Sequence, residues 1–402
     1  STLMRSSAAS DVYKRQMKDS EKKGKKVLHI SKYYYPYLGG TESVCQDIVE
    51  GLEGYNNRVI CFNDSNRTIC SEINGIQVLR IGCFMKVASQ SFSFLYYSYL
   101  KRNIQSWQPD IIHFHHPNPF VAFLLIRLIP ASTKLIVHWH LDITKQKYIY
   151  PLVRGNERKL LERADSIIVT SPKYRDASLP LKPFLQKVKV VANGINIHRL
   201  DLQDNDEMII KDIRKKYHNK KLIFFIGRHV EYKGLRYLIE AEKYITTDCH
   251  IVIAGQGPLT EELKAKANLE RVSFVGRLSN DELRCYLHAA DVFAFPSITK
   301  NEAFGLALAE AMYCRCPAVT FHIEGSGVNW VSLNGVTGIE VNNSDSKEYA
   351  AAIDTLLKDD SLRKQYADAA RKRVIEYFTI EKEQEAANEL YRLCLLYTSP
   401  SP

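Results

Sequence analysis

The segment Leu222–Gly234, LIFFIGRHVEYKG, decides the fold class. It opens with an unbroken apolar run, which is typical of a parallel strand covered on both faces rather than of a half-exposed one. A loop containing Arg228 and Lys233 follows, and the residues Leu235–Tyr244 then have the apolar spacing of an amphipathic helix. A buried strand, a short loop and a helix form the repeating unit of a doubly wound α/β sheet.

The same unit recurs along the whole chain. The other predicted strands are Lys26–Ser31, Arg58–Asn63, Ile76–Ile81, Asp110–His115, Lys134–His140, Ser166–Ser171, Lys187–Ala192, His250–Gly255, Val272–Gly276, Val292–Pro296, Ala318–Phe321 and Gly338–Val341. Further predicted helices are Thr41–Glu53, with Thr41 as N-cap, Asn280–Ala290, with Ser279 as N-cap, Gly305–Tyr313 and Ser346–Lys358. Two complete α/β patterns follow one another, so we predict two doubly wound, Rossmann-like domains.

The polar segment Leu200–Lys221 separates the two patterns, and we place the domain boundary there. The predicted N-terminal domain is therefore 17–200 and the C-terminal domain 201–379. The helical stretch 380–393 is expected to pack back on the N-terminal domain. Residues 1–16 and 394–402 resemble translated sequencing-adapter sequence, and we interpret them as a non-native leader and tail.

The amino-acid composition is that of a globular protein with a reducing environment and no membrane-spanning helix. The 402 residues are 45% hydrophobic and 25% charged, which is enough for two globular cores. The sequence contains no run of eighteen apolar residues, so no membrane-spanning helix is expected. Its nine cysteines are scattered and include no C-x-x-C pair, and we interpret them as buried thiols of a reducing compartment.

Charge is unevenly distributed between the two halves. Residues 17–200 contain 26 Lys and Arg against 14 Asp and Glu, whereas residues 201–394 contain 26 against 30. A basic first half indicates an anionic partner, and phosphorylated lipid, a membrane surface and nucleic acid all remain candidates on this ground.

The second half contains three features that suit a phosphate-bearing ligand. The segment Glu302–Glu310, EAFGLALAE, runs from a loop into a helix, whose first amides favour an anion. Arg228 and Lys233 follow a buried strand, and ligands bind at that edge of open α/β sheets. Gly255-Gln-Gly257 follows the next strand. Each feature by itself also has a simpler interpretation. Glu302 and Glu310 fit ordinary acidic residues of a helix, Arg228 and Lys233 fit solvated surface residues, and Gly255-Gln-Gly257 fits a simple turn.

Two loops of the first half are comparable. Pro36–Glu42, PYLGGTE, places Gly39 and Gly40 at a helix start, but it is not the G-x-G-x-x-G of nicotinamide-binding proteins. His138–Asp142 ends another buried strand. A plain strand-to-helix turn and a strand end with packed aromatic residues are the alternatives for these two loops.

Metal binding is weakly indicated. His113, His115 and His116 have a suggestive spacing, since residues two apart on a strand share a face, but no acidic or thiol partner is evident. The D-x-D pair Asp204 and Asp206 lies in the polar linker, and we interpret it as solvated surface.

The segment Phe84–Trp107 combines aromatic and basic residues. Such a composition suits a membrane interface, and a packed amphipathic helix fits it equally well. Stacking on nucleic acid lacks any recognised motif.

Together these motifs resemble the retaining glycosyltransferases of family 4, which have the GT-B fold of two Rossmann-like domains facing a central cleft. The resemblance covers Val27–Leu393, and the two glutamates Glu302 and Glu310, with seven residues between them, are its most specific part. It implies that Arg228 and Lys233 hold the donor diphosphate and stabilise the leaving group. It further implies that Glu302 contacts the donor sugar and Glu310 the ribose.

The other contacts implied by the resemblance come mainly from backbone groups. They are the amides of Phe304, Gly305 and Leu306 for sugar and phosphate oxygens, the neighbourhood of Gly276 and Arg277 for the base, and Gly39 and Gly40 for the donor phosphate and the acceptor pocket. His140 is implied to lie close to the donor sugar. No metal ion or other cofactor is implied.

The segments HWHLDITKQK, IIVTSPKY and VANGI look most like those of bacterial O-antigen and polysaccharide mannosyltransferases. The implied reaction transfers mannose from GDP-mannose to a polyprenyl-diphosphate-linked glycan. The implied location is the cytoplasmic face of the cell membrane, where the enzyme is peripheral, contacts an anionic surface and binds no nucleic acid. Three alternatives remain open: a UDP-hexose donor, a GT-B sugar-nucleotide epimerase, and a catalytically silent membrane-associated partner.

Overall fold

The computed structural model describes residues 24–37, 39–87, 90–143 and 150–396. The predicted leader 1–16 lies outside these residues, as do positions 397–402 of the predicted tail. The described residues form two compact units. Unit 1 takes its residues from 1–169, 180–189 and 384–402, and unit 2 consists of 170–179 and 190–383. The polar segment Leu200–Lys221 belongs wholly to unit 2.

Unit 1 is built on an eight-stranded sheet in the order β10-β9-β8-β7-β1-β2-β4-β3. The strands are β1 Lys25–Ile30, β2 Tyr55–Phe62, β3 Ile69–Ile73, β4 Ile76–Ile81, β7 Ile111–His116, β8 Lys134–Trp139, β9 Ser166–Val169 and β10 Val188–Val190. The edge strand β3 is antiparallel to β4, whereas the pairs that join β4, β2, β1, β7, β8 and β9 are parallel. A separate two-stranded hairpin is formed by β5 Met85–Val87 and β6 Gln90–Phe92.

Unit 2 is built on a six-stranded parallel sheet in the order β13-β12-β11-β14-β15-β16. The strands are β11 Lys221–Ile226, β12 Cys249–Ala254, β13 Val272–Gly276, β14 Val292–Phe295, β15 Ala318–Phe321 and β16 Gly338–Val341. The interior residues of β11, β12, β14 and β15 are buried except His250, as expected for strands covered on both faces, whereas those of the edge strands β13 and β16 are partly buried.

Helices fill the connections between the strands. They are α1 Gly40–Gly51, α2 Tyr96–Trp107, α3 Pro119–Leu128, α4 Tyr150–Arg163, α5 Pro172–Ala177, α6 Asp206–Lys216, α7 Leu235–Glu242, α8 Thr260–Lys266, α9 Asn280–Ala289, α10 Leu306–Tyr313, α11 Val328–Val331, α12 Ser346–Lys358, α13 Asp360–Tyr377 and α14 Ile380–Leu396. Among the helices that the structure describes, none combines the length and the apolar character needed to cross a bilayer.

The predicted fold class is confirmed: the chain contains two Rossmann-like α/β sheets, and each predicted strand is present, four with the predicted ends and the others with shifted ends. Sequence reasoning missed β3 and the β5–β6 hairpin. These strands are short and partly exposed, so they lack the continuous apolar run that identified the others. The segment Phe84–Trp107 is therefore not one amphipathic helix but a hairpin followed by α2.

Two local predictions concern helix starts. Ser279 caps α9 in a capping box with Glu282, as predicted. The prediction for Thr41 is wrong, because α1 begins at Gly40 and its N-cap is Gly39.

The interpretation of Asp206 as solvated surface is also wrong, although Asp204 is exposed. Asp206 is buried and accepts two hydrogen bonds from Arg284, from Nε at 2.6 Å and from Nη2 at 3.1 Å. Its partner lies on α9, 78 residues further along the chain, where local sequence gives no sign of it. None of the nine cysteines forms a disulfide, and all except Cys70 are buried.

Candidate functional site

The strand order of unit 2 reverses between β11 and β14, because the chain adds β12 and β13 on one side before crossing to the other. In open parallel sheets, ligands bind outside the carboxyl ends of the strands at such a switch point. The loop after β11 contains Arg228 and Lys233, and the loop after β14 contains Glu302. The predicted donor-site residues of the second half therefore lie at one sheet edge.

The side chains of Lys233 and Glu302 meet at this switch point. Lys233 Nζ donates a hydrogen bond to Glu302 Oε2, and the two side chains are only 12% and 11% exposed. Ser297 Oγ donates to the same carboxylate oxygen at 3.1 Å. Burial alone would lower the pKa of Lys233, but the adjacent Glu302 charge raises it above its ordinary value. Lys233 is therefore a cation at neutral pH.

Glu310 lies on α10, eight residues after Glu302, and is 7% exposed. Burial raises the pKa of its carboxyl group, and the guanidinium of Arg199 opposes that rise. Arg199 Nη2 donates to Glu310 Oε1 across 111 residues of sequence. The carbonyl of Arg199 in turn accepts a hydrogen bond from Arg284 Nη1 at 3.3 Å, which anchors its loop to α9.

The N-terminus of α10 provides backbone donors. Gly305 caps the helix with φ +94, a left-handed conformation that a side chain disfavours. A Cβ atom there would lie 3.1 Å from Cζ of Phe295. Phe304 is buried and fixes the turn from the core side, and Leu306 begins the helix. The first amides of a helix have no intrahelical acceptor, so this turn suits an anion.

The other predicted residues of unit 2 lie at the same sheet edge. Arg228 is exposed directly after β11. Gly276 ends β13, and its carbonyl accepts a hydrogen bond from the amide of Gly255, which follows β12, at 2.6 Å. Arg277 is exposed next to it.

Unit 1 contains the remaining predicted residues. Gly39 is extended, and its carbonyl accepts the first hydrogen bond of α1, from Ser43 at 2.9 Å, while Gly40 begins the helix. His140 follows β8 and is buried, and its Nε2 lies 3.0 Å from Nδ1 of His115. Burial and the nearby His116 lower the pKa of His140 to about 3, so its ring is neutral at pH 7. Asp142, the last residue of the predicted segment His138–Asp142, accepts a hydrogen bond from Trp139 Nε1 at 2.9 Å.

Sequence reasoning missed Arg199, Ser297 and Arg284. Arg199 follows the VANGI segment closely, so its position beside a site motif was visible, but its partner Glu310 was not.

Sequence reasoning also found no acidic or thiol partner for the histidines of β7, and that statement is wrong. His116 Nε2 lies 3.0 Å from Oε1 of Glu157, and the thiol of Cys45 lies near His115. The buried histidines of unit 1 are thus the described residues best able to hold a metal ion.

Comparisons with known proteins identify the family to which the chain is similar. A family model described as Glycosyltransferase Family 4 matches residues 38–199, and one described as Glycosyl transferases group 1 matches residues 206–373. The chain is 28% identical over 376 residues to O-antigen chain mannosyltransferase C of Escherichia coli, covering 92% of this chain and 99% of the relative. It is also 28% identical to D-rhamnosyltransferase WbpZ of Pseudomonas aeruginosa, covering 88% and 92%.

A solved structure has the same fold. Anabaena Alr3699/HepE in complex with UDP-glucose superposes with a TM-score of 0.74 at 19% identity, covering 92% of this chain and 99% of that one. The likeness extends over both units.

Proposed function

Because this chain belongs to the family 4 glycosyltransferases, we propose that unit 2 binds a nucleotide-diphosphate sugar at the β11–β14 switch point and that the enzyme transfers its hexose with retention of configuration. The observation that carries the proposal is the convergence of Lys233, Glu302 and the N-terminus of α10 at that edge. A cation and free amides suit the diphosphate, and carboxylates suit sugar hydroxyls.

In the proposed step, the acceptor hydroxyl attacks the anomeric carbon on the face that the diphosphate leaves. The bond from that carbon to the phosphate oxygen breaks, and the departing phosphate oxygen takes the proton of the acceptor hydroxyl. The products are a glycoside and a nucleoside diphosphate. Negative charge grows on the leaving group in the transition state, and preorganised cations and amides stabilise it.

We assign that stabilisation to Arg228, Lys233 and the amides of Phe304, Gly305 and Leu306, and we propose that the reaction uses no metal ion or other cofactor. In the structure, the positive charge of Lys233 is balanced by the ion pair with Glu302. Donor binding must therefore turn Lys233 toward phosphate and free Glu302 for the sugar hydroxyls.

The remaining roles follow the family. Glu310 binds the ribose hydroxyls, and Gly276 and Arg277 lie beside the base. In unit 1, the neutral ring of His140 contacts the donor sugar, and Gly39 and Gly40 contact the donor phosphate and line the acceptor pocket.

We further propose mannose from GDP-mannose as the transferred sugar and a polyprenyl-diphosphate-linked glycan as the acceptor. The support is that a relative of nearly the same length is an O-antigen mannosyltransferase. A UDP-hexose is the competing donor, since the similar Anabaena structure contains UDP-glucose.

An anionic membrane surface is the proposed site of action, on the cytoplasmic side. The rings of Phe84 and Phe94 stack at 4.2 Å, are 50% and 85% exposed, and flank the β5–β6 hairpin with its Lys86. Exposed aromatic rings beside a cation suit the interface of an anionic bilayer.

The test of donor and reaction type is a panel of GDP-mannose, UDP-glucose, UDP-galactose and UDP-N-acetylglucosamine. A ligand that binds only the folded protein raises its melting temperature, so the true donor stabilises most. Nucleoside diphosphate should then be released from that donor only when an acceptor is present. Binding without turnover on any acceptor would support a silent partner, and interconversion of the sugar nucleotide would support an epimerase.

A further inference from the structure

The sheet of unit 1 brings His29, His113, His115 and His138 to one face, and the last three form a compact group. His113 and His115 lie two residues apart on β7, so both point to the same side of the sheet. On β8, His138 is in register with His115 and therefore shares that side. We call these three residues the imidazole cluster. Sequence spacing showed the pair on β7, but only the strand order adds His138.

The cluster is fully enclosed and has unused ring nitrogens. Its members are at most 1% exposed, and one ring nitrogen from each lies within 4.8 Å of the others. Within the described residues, Nε2 of His113, Nε2 of His115 and both ring nitrogens of His138 have no hydrogen-bond partner. A buried polar group without a partner costs about 1–3 kcal/mol, so several such groups together indicate a ligand that satisfies them.

The opposite ring nitrogens are already engaged. His113 Nδ1 is hydrogen-bonded to the hydroxyl of Tyr391, and His115 Nδ1 is bonded to Nε2 of His140 at 3.0 Å. Metal-binding histidines usually have such an outer partner, which fixes the ring and directs the other nitrogen to the ion.

Charge compensation comes from a thiol on α1. Cys45 is completely buried, and its Sγ lies within 4.8 Å of a ring nitrogen of His115 and of His29. Burial raises the pKa of this thiol, so it is protonated when free. A coordinated thiol loses its proton, and the resulting thiolate offsets the charge of a divalent ion in a buried site.

We propose that unit 1 binds one borderline transition-metal ion of the Zn²⁺ class through His113, His115 and His138, and that Cys45, whose Sγ lies beside His115, moves toward the ion to supply a thiolate. Imidazole nitrogens and thiolates are both ligands that Zn²⁺ binds in tetrahedral sites. The rings of His113 and His115 stack with their centroids 4.4 Å apart. The site is enclosed by protein, so its role is structural: it joins α1 to the centre of the sheet. Its ligands are distinct from the unit 2 residues proposed for the diphosphate, and His140, the hydrogen-bond partner of His115, is the proposed donor-sugar contact beside it.

The test uses Co²⁺ as the spectroscopic probe on the full-length, chelator-treated protein. We expect saturation at one ion per chain, visible ligand-field bands of a tetrahedral complex, and a near-ultraviolet thiolate-to-metal charge-transfer band. Co²⁺ binding should release the proton of the Cys45 thiol, and Zn²⁺ should then displace Co²⁺ without further proton release. Cys45→Ser should lose the charge-transfer band and keep tetrahedral bands with weaker affinity. His138→Gln should weaken Co²⁺ binding at least tenfold, whereas the exposed control His198→Gln should not change it.

Three results would overturn the site. The first is a wild-type protein without tetrahedral bands, and the second is a wild-type spectrum and affinity in both Cys45→Ser and His138→Gln. The third is Co²⁺ that binds only weakly and with the bands of an octahedral complex, as at surface sites. A buried water satisfying the rings would give the first result. If His138→Gln does not fold, Cys45→Ser and the wild-type spectra still decide the question. Sugar-nucleotide binding is measured separately, so failure of the metal site leaves the donor site untouched.

Discussion

Lys233 and Glu302, 69 residues apart in the sequence, form a nearly buried ion pair at the point where the strand order of unit 2 reverses. Both residues were expected to contact the donor. In the structure they contact each other, so each holds the other in place, and the charge of Glu302 raises the pKa of Lys233.

Replacing Lys233 with alanine should lower kcat/KM at least about 100-fold, the usual effect of removing one preorganised donor to a transition-state oxyanion. Release of nucleoside diphosphate in the presence of acceptor measures this loss. The exposed Lys243→Ala serves as the matched control and should be fully active. Near-normal turnover of a folded Lys233→Ala enzyme would refute the role of Lys233.

Arg199 is expected to act through Glu310 as a positioning residue. Arg199→Ala removes the cation that holds down the pKa of the Glu310 carboxyl, so that pKa should rise further. We expect KM for the donor to increase about tenfold with little change in kcat, since one charged hydrogen bond contributes about 1.5–3 kcal/mol. The increase should be largest at acidic pH, where Glu310 becomes protonated.

Steady-state kinetics between pH 5.5 and 8 tests this expectation. Arg199→Lys should restore part of the affinity, and the exposed Arg315→Ala should resemble the wild type. A uniform fall in kcat at every pH would instead indicate a general structural defect.

Gly305→Ala should separate backbone strain from donor binding. Both Gly305 and Gly335 have positive φ, but only at Gly305 would a Cβ meet another side chain, that of Phe295. Each alanine should cost about 1–2 kcal/mol of unfolding free energy. Only Gly305→Ala should also lose the rise in melting temperature that the donor causes. Equal donor responses in the two variants would argue against this turn as a phosphate site.

Asp206 and Asp204 provide a matched pair for acid stability. The hydrogen bonds from Arg284 lower the pKa of the Asp206 carboxyl from 3.8 to about 2. Between these values the unfolded chain binds more protons than the folded one, so stability decreases as pH falls from about 4 to 2. The contribution lost is about 2 kcal/mol.

Denaturant unfolding at pH 5, 4, 3 and 2 measures this effect. Asp206→Asn should be less stable at pH 5 and show a flatter pH dependence, whereas exposed Asp204→Asn should follow the wild type. Parallel curves for Asp206→Asn and the wild type would contradict the assignment.

Membrane contact through the β5–β6 hairpin predicts that Phe84→Ser with Phe94→Ser weakens binding to anionic vesicles. A loss of about tenfold is expected, because burying an aromatic ring contributes about 1.5–3 kcal/mol when complete. Vesicle co-sedimentation measures it, with exposed Tyr244→Ser of unit 2 as control. Unchanged sedimentation of the double variant would exclude this hairpin as the contact.

The amino-acid sequence by itself determined the α/β class, the strands and the carboxyl-end loops that bear Arg228, Lys233, Glu302 and Gly305. These properties depend on local apolar runs, capping residues and glycines, which a linear pattern contains. The amino-acid sequence alone did not predict the strand order, the reversal of that order or the short exposed strands.

Only the tertiary structure decided which side chains meet. The pairs Lys233–Glu302, Arg199–Glu310 and Asp206–Arg284 span 69, 111 and 78 residues. His138 joins the β7 histidines because β8 lies next to β7 in register. Such contacts follow from sheet order and helix packing, whose energy is shared among many weak interactions. No short stretch of sequence specifies them.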